Sequence, residues 1–107
     1  MDEEKITIDL QPEKKPVTPR TTDEKQQLVN RLKRIEGQVR GIQKMIEDDR
    51  YCVDILVQIS AIDAALKKVG YSLLERHTRH CVSSAIRSGN GDESIDELMK
   101  VIKQFSK

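Results

Sequence analysis

Between Arg50 and Arg87 the chain runs for 38 residues without a proline. Val53, Leu56, Ile59, Ile62, Leu66, Val69, Leu73 and Leu74 recur there at helical intervals and form an apolar stripe expected to be buried. As one helix this stretch is about 57 Å long at about 1.5 Å per residue. Gly70 interrupts it, but a single internal glycine costs only about 1 kcal/mol. A chain of 107 residues that commits a third of its length to one rod does not close neatly on itself. The ends of the rod overhang whatever packs beside it and leave apolar surface for a second copy of the chain.

The remaining segments fit that picture. Thr21 and Glu24 have capping-box spacing, which predicts a first helix opening there. Its apolar positions are Leu28, Leu32, Ile35, Val39, Ile42 and Ile46. Alternating steps of four and three are the coiled-coil period, so this helix is expected to pack along a narrow seam against another helix. Asp48 and Asp49 break the pattern and are expected to cap the second helix. Gly89-Asn90-Gly91 is a stop signal, and Asp92 is expected to cap a short third helix with Ile95, Leu98, Met99, Ile102 and Phe105 as its apolar face. Residues 1–20 hold all three prolines and no sustained apolar period, and are read as a disordered arm preceding one helical domain over 21–107. No alternating β pattern and no internal repeat is visible. The fold class is therefore all-α with three helices per chain. Two such chains paired antiparallel make a four-helix bundle from helices one and two of each. Aromatic content of 3%, with no Trp and one Phe, makes a monomeric core thin and favours such a partner.

The apolar runs are too short to cross a bilayer, and no secretory h-region precedes the two cysteines. A cytoplasmic, reducing compartment is expected, where paired thiols more often bind metal or do redox work than form structural bridges. The net charge of +1 hides a segregation. Lys25, Arg31, Lys33, Arg34, Arg40 and Lys44 face a single acid, Glu36, in their stretch; Lys67, Lys68, Arg76, Arg79 and Arg87 face only Glu75 in theirs. The compensating acids lie in the N-terminal segment, at Glu47 to Asp49 and at Asp92 to Glu97. Segregation of this kind can hold a polyanion even near zero net charge; an ordinary solvated helix face accounts for it equally well.

His77 and Cys81 stand four apart in the long helix, so they are expected to project as neighbours from one face. Cys52, the only other cysteine, lies 25 residues upstream, about 37 Å away along a continuous helix. No metal bridges that gap. Either the three residues are unrelated, or Cys52 of one subunit meets His77 and Cys81 of another, as antiparallel pairing would bring about. Two sulfurs and one nitrogen are fewer donors than structural zinc takes and suit Cu(I), a soft ion content with three. Tyr51 beside Cys52, and Glu97, which can accept the free ring N–H of His77, are candidate outer supports. His80 is a spare candidate set about 60° around the axis from His77. Against this stands the plainer reading of each cysteine as a small buried hydrophobe. Met45 and Met99 fit the apolar stripes and read as gap-fillers.

The run Asn30-Arg-Leu-Lys-Arg-Ile-Glu-Gly-Gln-Val-Arg-Gly41, then Asp49-Arg-Tyr-Cys-Val-Asp54 and His77-x-x-x-Cys81, closely resembles the copper-sensing operon repressors of bacteria, over about residues 24–106. The resemblance implies an all-helical protein that assembles as a disc-shaped tetramer, a dimer of antiparallel dimers, without a helix-turn-helix. It implies that the metal-free form sits on double-stranded operator DNA of copper-efflux genes. It also implies that Cu(I), bound in a trigonal intersubunit site, releases that DNA. Carried over, the ligands are Cys52, His77 and Cys81, and the outer pair is Tyr51 and Glu97. Nickel- and cobalt-sensing relatives need an N-terminal His and a His where Cys81 stands; persulfide-sensing relatives lack the His at 77. DNA contacts are implied for basic residues of helices one and two, here Arg31, Lys33, Arg34, Arg40, Lys67 and Lys68. Of these Arg31 matches the pattern and Lys68 matches it only in charge.

Two rival readings use the same residues: a copper-buffering protein that ignores DNA, and a repressor responding to thiol oxidation or persulfides. An enzyme is not expected, since no nucleophile–base pair or phosphate loop is visible.

Overall fold

The computed structural model describes residues 15–106. It is all-helical, with no strand among the described residues. α1 spans Thr22–Glu47 and α2 spans Cys52–His77. A π-helical turn, Thr78–Val82, continues α2 into the short α3, Ser83–Arg87. The residues at both junctions keep right-handed helical backbone angles, so Cys52 to Arg87 is one rod, as its apolar period predicts. α4, Gly91–Phe105, is the expected third helix. The longest dimension of the described residues, 56 Å, is close to the length of about 54 Å expected of that rod.

The helix ends are built locally. Thr21 is the N-cap of α1, its hydroxyl accepting from the Glu24 N–H while the Glu24 carboxylate accepts from the Thr21 N–H, the capping box expected from the sequence. α1 ends in a Schellman arrangement: Asp49 adopts a left-handed φ of 52°, its N–H donates to the Ile46 carbonyl, and the Arg50 N–H donates to the Met45 carbonyl. Asp48 and Asp49 are thus spent on closing α1 and do not cap α2. The N-cap of α2 is Tyr51, with no side-chain cap bond. Gly89, at φ 90°, closes α3 in the same way, with Gly89 N–H to Ile86 and Asn90 N–H to Ala85. Asn90 rather than Asp92 stands at the N-cap of α4, leaving Asp92 in its first turn.

α1 and α2 pack as a hairpin around Ile35, Ile62 and Val69, joined by Leu28, Ile42 and Ala65. The inward positions advance by seven on each side: 28, 35 and 42 on α1; 55, 62 and 69 on α2. Ile55, half-buried, belongs to this row although the sequence pattern did not single it out. The other half of each apolar stripe faces outward. Leu32, Val39 and Ile46 on α1 are exposed, as are Val53, Leu56, Ile59, Leu66 and Leu73 on α2. The stripe read as one buried face of the long helix is therefore two seams, one closed within the chain and one open. Only Ile35, Ile62, Val69 and Val82 are buried among the described residues, and no large side chain is fully so. That core is thin for a domain of this length.

Residues 15–20 belong to the segment read as a disordered arm, whose first 14 residues lie outside the described ones. Here the Thr18 and Pro19 carbonyls accept hydrogen bonds from the Arg76 guanidinium at 3.0 and 3.1 Å.

Candidate functional site

Cys52 is the first residue of α2 and is exposed; His77, the last, is half-buried, as is Cys81 in the π turn. With one regular helix of 26 residues between them, the Cys52 and His77 backbones stand about 37 Å apart. No group of three or more metal-binding side chains converges within the chain among the described residues. The single protomer thus carries the candidate donors at opposite ends of one rod: a free thiol at one end, an imidazole and a second free thiol at the other.

The His77–Cys81 end of the rod lies in a cleft. His77, Cys81 and Glu97 line one cleft of about 410 Å³ between the C-terminal end of α2, α4 and residues 15–20, with Arg76 and Ser94 at its margin. Glu97 reaches the cleft from the second turn of α4. Tyr51 is 70% exposed at the start of α2 and belongs to the Cys52 end. His80 lines a different cleft, with Glu24, Gln27 and Arg31 of α1, and so stands apart from the His77–Cys81 pair.

The π turn departs from the regular α-helix that the apolar period predicts here. Its signature bond runs from the Ser83 N–H to the Thr78 carbonyl, five residues back. The turn is widened just where Cys81 sits, so His77 and Cys81 are related by a wider turn than the α-helical spacing assumed. Thr78 is the one local hint: its hydroxyl donates to the Leu74 carbonyl at 2.9 Å, a back-bond that tends to bend helices.

Arg76 fastens this end of α2 to the start of α1. Besides the two arm carbonyls it forms an ion pair and hydrogen bond with Glu24. The Arg76 hydrogen bond, followed by that from the Thr21 backbone N–H, holds the Glu24 carboxyl below its ordinary 4.5.

The basic residues lie on the outer faces of α1 and α2. Arg31, Lys33, Arg34 and Lys68 are exposed and make no ion pair among the described residues. Arg40 and Lys67 are held by Glu36 at 3.4 Å and Asp63 at 3.3 Å, each four residues away and solvent-exposed. Such pairs are worth about 0.3–0.5 kcal/mol.

Residues 24–104 match the family model described as metal-sensitive transcriptional repressor. The chain belongs to the metal-sensitive transcriptional repressor family. It is 60% identical over 95 residues, 89% of this chain and 94% of the relative, to the copper-sensing transcriptional repressor CsoR of Bacillus subtilis strain 168. Its fold superposes with a TM-score of 0.81 on the copper-sensing repressor CsoR with Cu(I) from Geobacillus thermodenitrificans NG80-2, at 65% identity over 86% of this chain and 96% of that one. The nickel-responsive transcriptional regulator InrS is more distant, with a TM-score of 0.65 and 38% identity over 75% of this chain and 90% of that one. A member of this family is a regulator of transcription and not an enzyme. No helix among the described residues is long and apolar enough to cross a membrane.

Proposed function

We propose that this protein is a cytoplasmic Cu(I)-responsive repressor. Its metal-free form holds the operator of copper-efflux genes, and it releases that DNA when Cu(I) binds between subunits at Cys52 of one protomer and His77 and Cys81 of its partner. The observation that carries this reading is the placement of the donors. A thiol at the first residue of a rod and an imidazole–thiol pair at its far end come together only when two rods lie antiparallel. The open seam along α1 and α2 provides the apolar surface for that pairing, and two such dimers would form the tetramer. The donor set supports Cu(I) over nickel or zinc, since two sulfurs and one nitrogen suit a soft three-coordinate ion. Bound Cu(I) would tie the start of one α2 to the end of the other.

The chain's own residues do the rest. Tyr51 flanks the Cys52 thiol, and Glu97 supports the His77 ring from α4. Arg31, Lys33, Arg34, Arg40, Lys67 and Lys68 contact DNA phosphates, repeated in each protomer so that an assembly of modest net charge presents a broad basic face. Release requires a coupling free energy between the half-sites and that face, carried through His77 and Glu97 into the position of α4.

The test is operator binding by fluorescence anisotropy under anaerobic conditions, with and without one Cu(I) per protomer. Copper should weaken binding for the wild type and leave His77→Ala unaffected. A His77→Ala variant that still lets go of DNA on copper addition would refute the site. Release by oxidant and not by copper would favour a thiol-redox repressor, and copper binding without any operator binding a buffering protein.

A further inference from the structure

Gly70 gives α2 a notch on the side facing α4. No Cα of α4 comes within 8 Å of α2 among the described residues, so side chains alone span the gap, and they leave a cavity of about 220 Å³ between the two helices. Its α2 wall begins at Gly70 and ends at His77; its α4 wall begins at Glu97 and ends at Phe105. At one end the Phe105 ring lies where a side chain at residue 70 would be. A Cβ built on Gly70 would meet the far end of the ring closer than 3.0 Å, so the ring would have to shift. Tyr71 holds that ring edge-on, with centroids 5.1 Å apart and planes at 86°. Gly70 and His77 are two helical turns apart, about 10.5 Å, and Glu97 and Phe105 are eight residues apart, about 12 Å. The two intervals nearly match, so with Phe105 seated on Gly70 the other ends of the two walls, Glu97 and His77, line the same end of the cavity.

We propose that the Phe105–Gly70 contact is the pin that registers α4 on α2, which makes Gly70 and Phe105 positioning residues for metal-linked release of DNA. A glycine inside a helix is a liability that alanine would relieve; its presence here follows from the ring that occupies the Cβ position. With the notch filled, Phe105 is displaced and α4 loses its level. Glu97 then no longer follows His77, although Cys52, His77 and Cys81 are untouched. The inference rests on the copper-responsive reading and extends it to residues outside the ligand set.

The experiment compares full-length wild type, Gly70→Ala, Phe105→Leu and the double variant Gly70→Ala/Phe105→Leu. Three readouts are taken: Cu(I) affinity against a competing chelator, hydrogen exchange of the α4 amides in the metal-free protein, and operator affinity with and without Cu(I). Gly70→Ala should bind Cu(I) within about twofold of wild type while its α4 amides exchange at least tenfold faster. Its ratio of metal-free to copper-loaded operator affinity should fall at least tenfold. In the double variant the shorter side chain clears the new methyl, so both α4 protection and the affinity ratio should recover beyond either single variant, a non-additivity expected of residues in direct contact. Unchanged exchange in Gly70→Ala would overturn the pin, and faster exchange with an unaltered affinity ratio would overturn its part in release. So would a parallel loss of Cu(I) affinity, the mark of a merely structural defect. A wild type that holds DNA equally with and without Cu(I) would bring down the copper reading itself. That failure is visible before any variant is compared, and the exchange result then still decides whether the pin positions α4.

Discussion

Two chains that each lack part of the site should rebuild it together. Cys52→Ala removes the donor at the start of α2; His77→Ala/Cys81→Ala removes both at its end. Because α2 holds these ends about 37 Å apart, against metal–donor distances of about 2.0–2.3 Å, neither variant can complete a site with itself. A mixed dimer differs: Cys52 of the double variant faces His77 and Cys81 of the single variant, giving one complete site, and the second position holds no donors. Random exchange of equal amounts makes half the dimers mixed, each with one of its two sites whole, for a capacity of about one quarter of wild type. Anaerobic Cu(I) titration against a competing chelator reads this capacity, and X-ray absorption on the mixture should show two sulfurs and one nitrogen. If the mixed assembly gains no capacity, or if Cys52→Ala alone keeps a three-coordinate ion, the intersubunit site is wrong.

Other outcomes follow from the same geometry. Arg76→Ala loses an ion pair to Glu24 and two backbone acceptors, and should cost about 1–3 kcal/mol in denaturant unfolding while exposing Arg20 to trypsin. Glu24 has its carboxyl held down in the folded state, so its contribution is present in full above the ordinary value of 4.5 and is lost as pH falls through the depressed one. Melting temperatures of wild type and Glu24→Gln should therefore differ at neutral pH and converge under acid conditions. Lys33→Ala and Arg34→Ala should each weaken operator binding similarly for all sequences and reduce the slope of log affinity against log salt by about one per DNA contact removed; an unchanged slope would take that residue off the phosphates.

Much of this was legible in the chain. The capping box at Thr21 and Glu24, the proline-free rod and the Gly89 stop act through local chemistry, and local chemistry survives folding unchanged. What escaped depended on context. Asp48 and Asp49 looked like caps for the following helix because short acidic side chains serve either purpose; only the left-handed backbone at Asp49 shows that they close the preceding one. The π turn has no composition signal beyond Thr78, since it is one inserted residue in an otherwise helical pattern. The outward half of the α2 stripe could not be told from the inward half, because an apolar position promises burial without saying against which molecule. His77 and Cys81 share a cleft with Glu97, the residue that the sequence offers as an acceptor for the His77 ring N–H. The Phe105–Gly70 contact, in contrast, joins residues 35 apart and leaves no periodic trace.

In the proposed site, copper binding and assembly share one seam. Cys52 stands beside Val53 and one turn before Leu56, both exposed in the single chain, so the surface proposed to pair with another protomer is also the one that carries the thiol. Any change that loosens pairing should then weaken copper binding wherever monomer is populated. Leu66 tests this, being 46% exposed and 14 residues from Cys52, too far to touch the ion. Burying its remaining half against a partner stabilises each copy by about 1 kcal/mol, and a two-fold interface uses it twice. Leu66→Ala should therefore raise the dimer dissociation constant by up to about 30-fold in analytical ultracentrifugation. Its copper affinity should fall at dilute protein and return to wild type when concentrated. Affinity independent of protein concentration would mean that the donors meet by some route other than the seam.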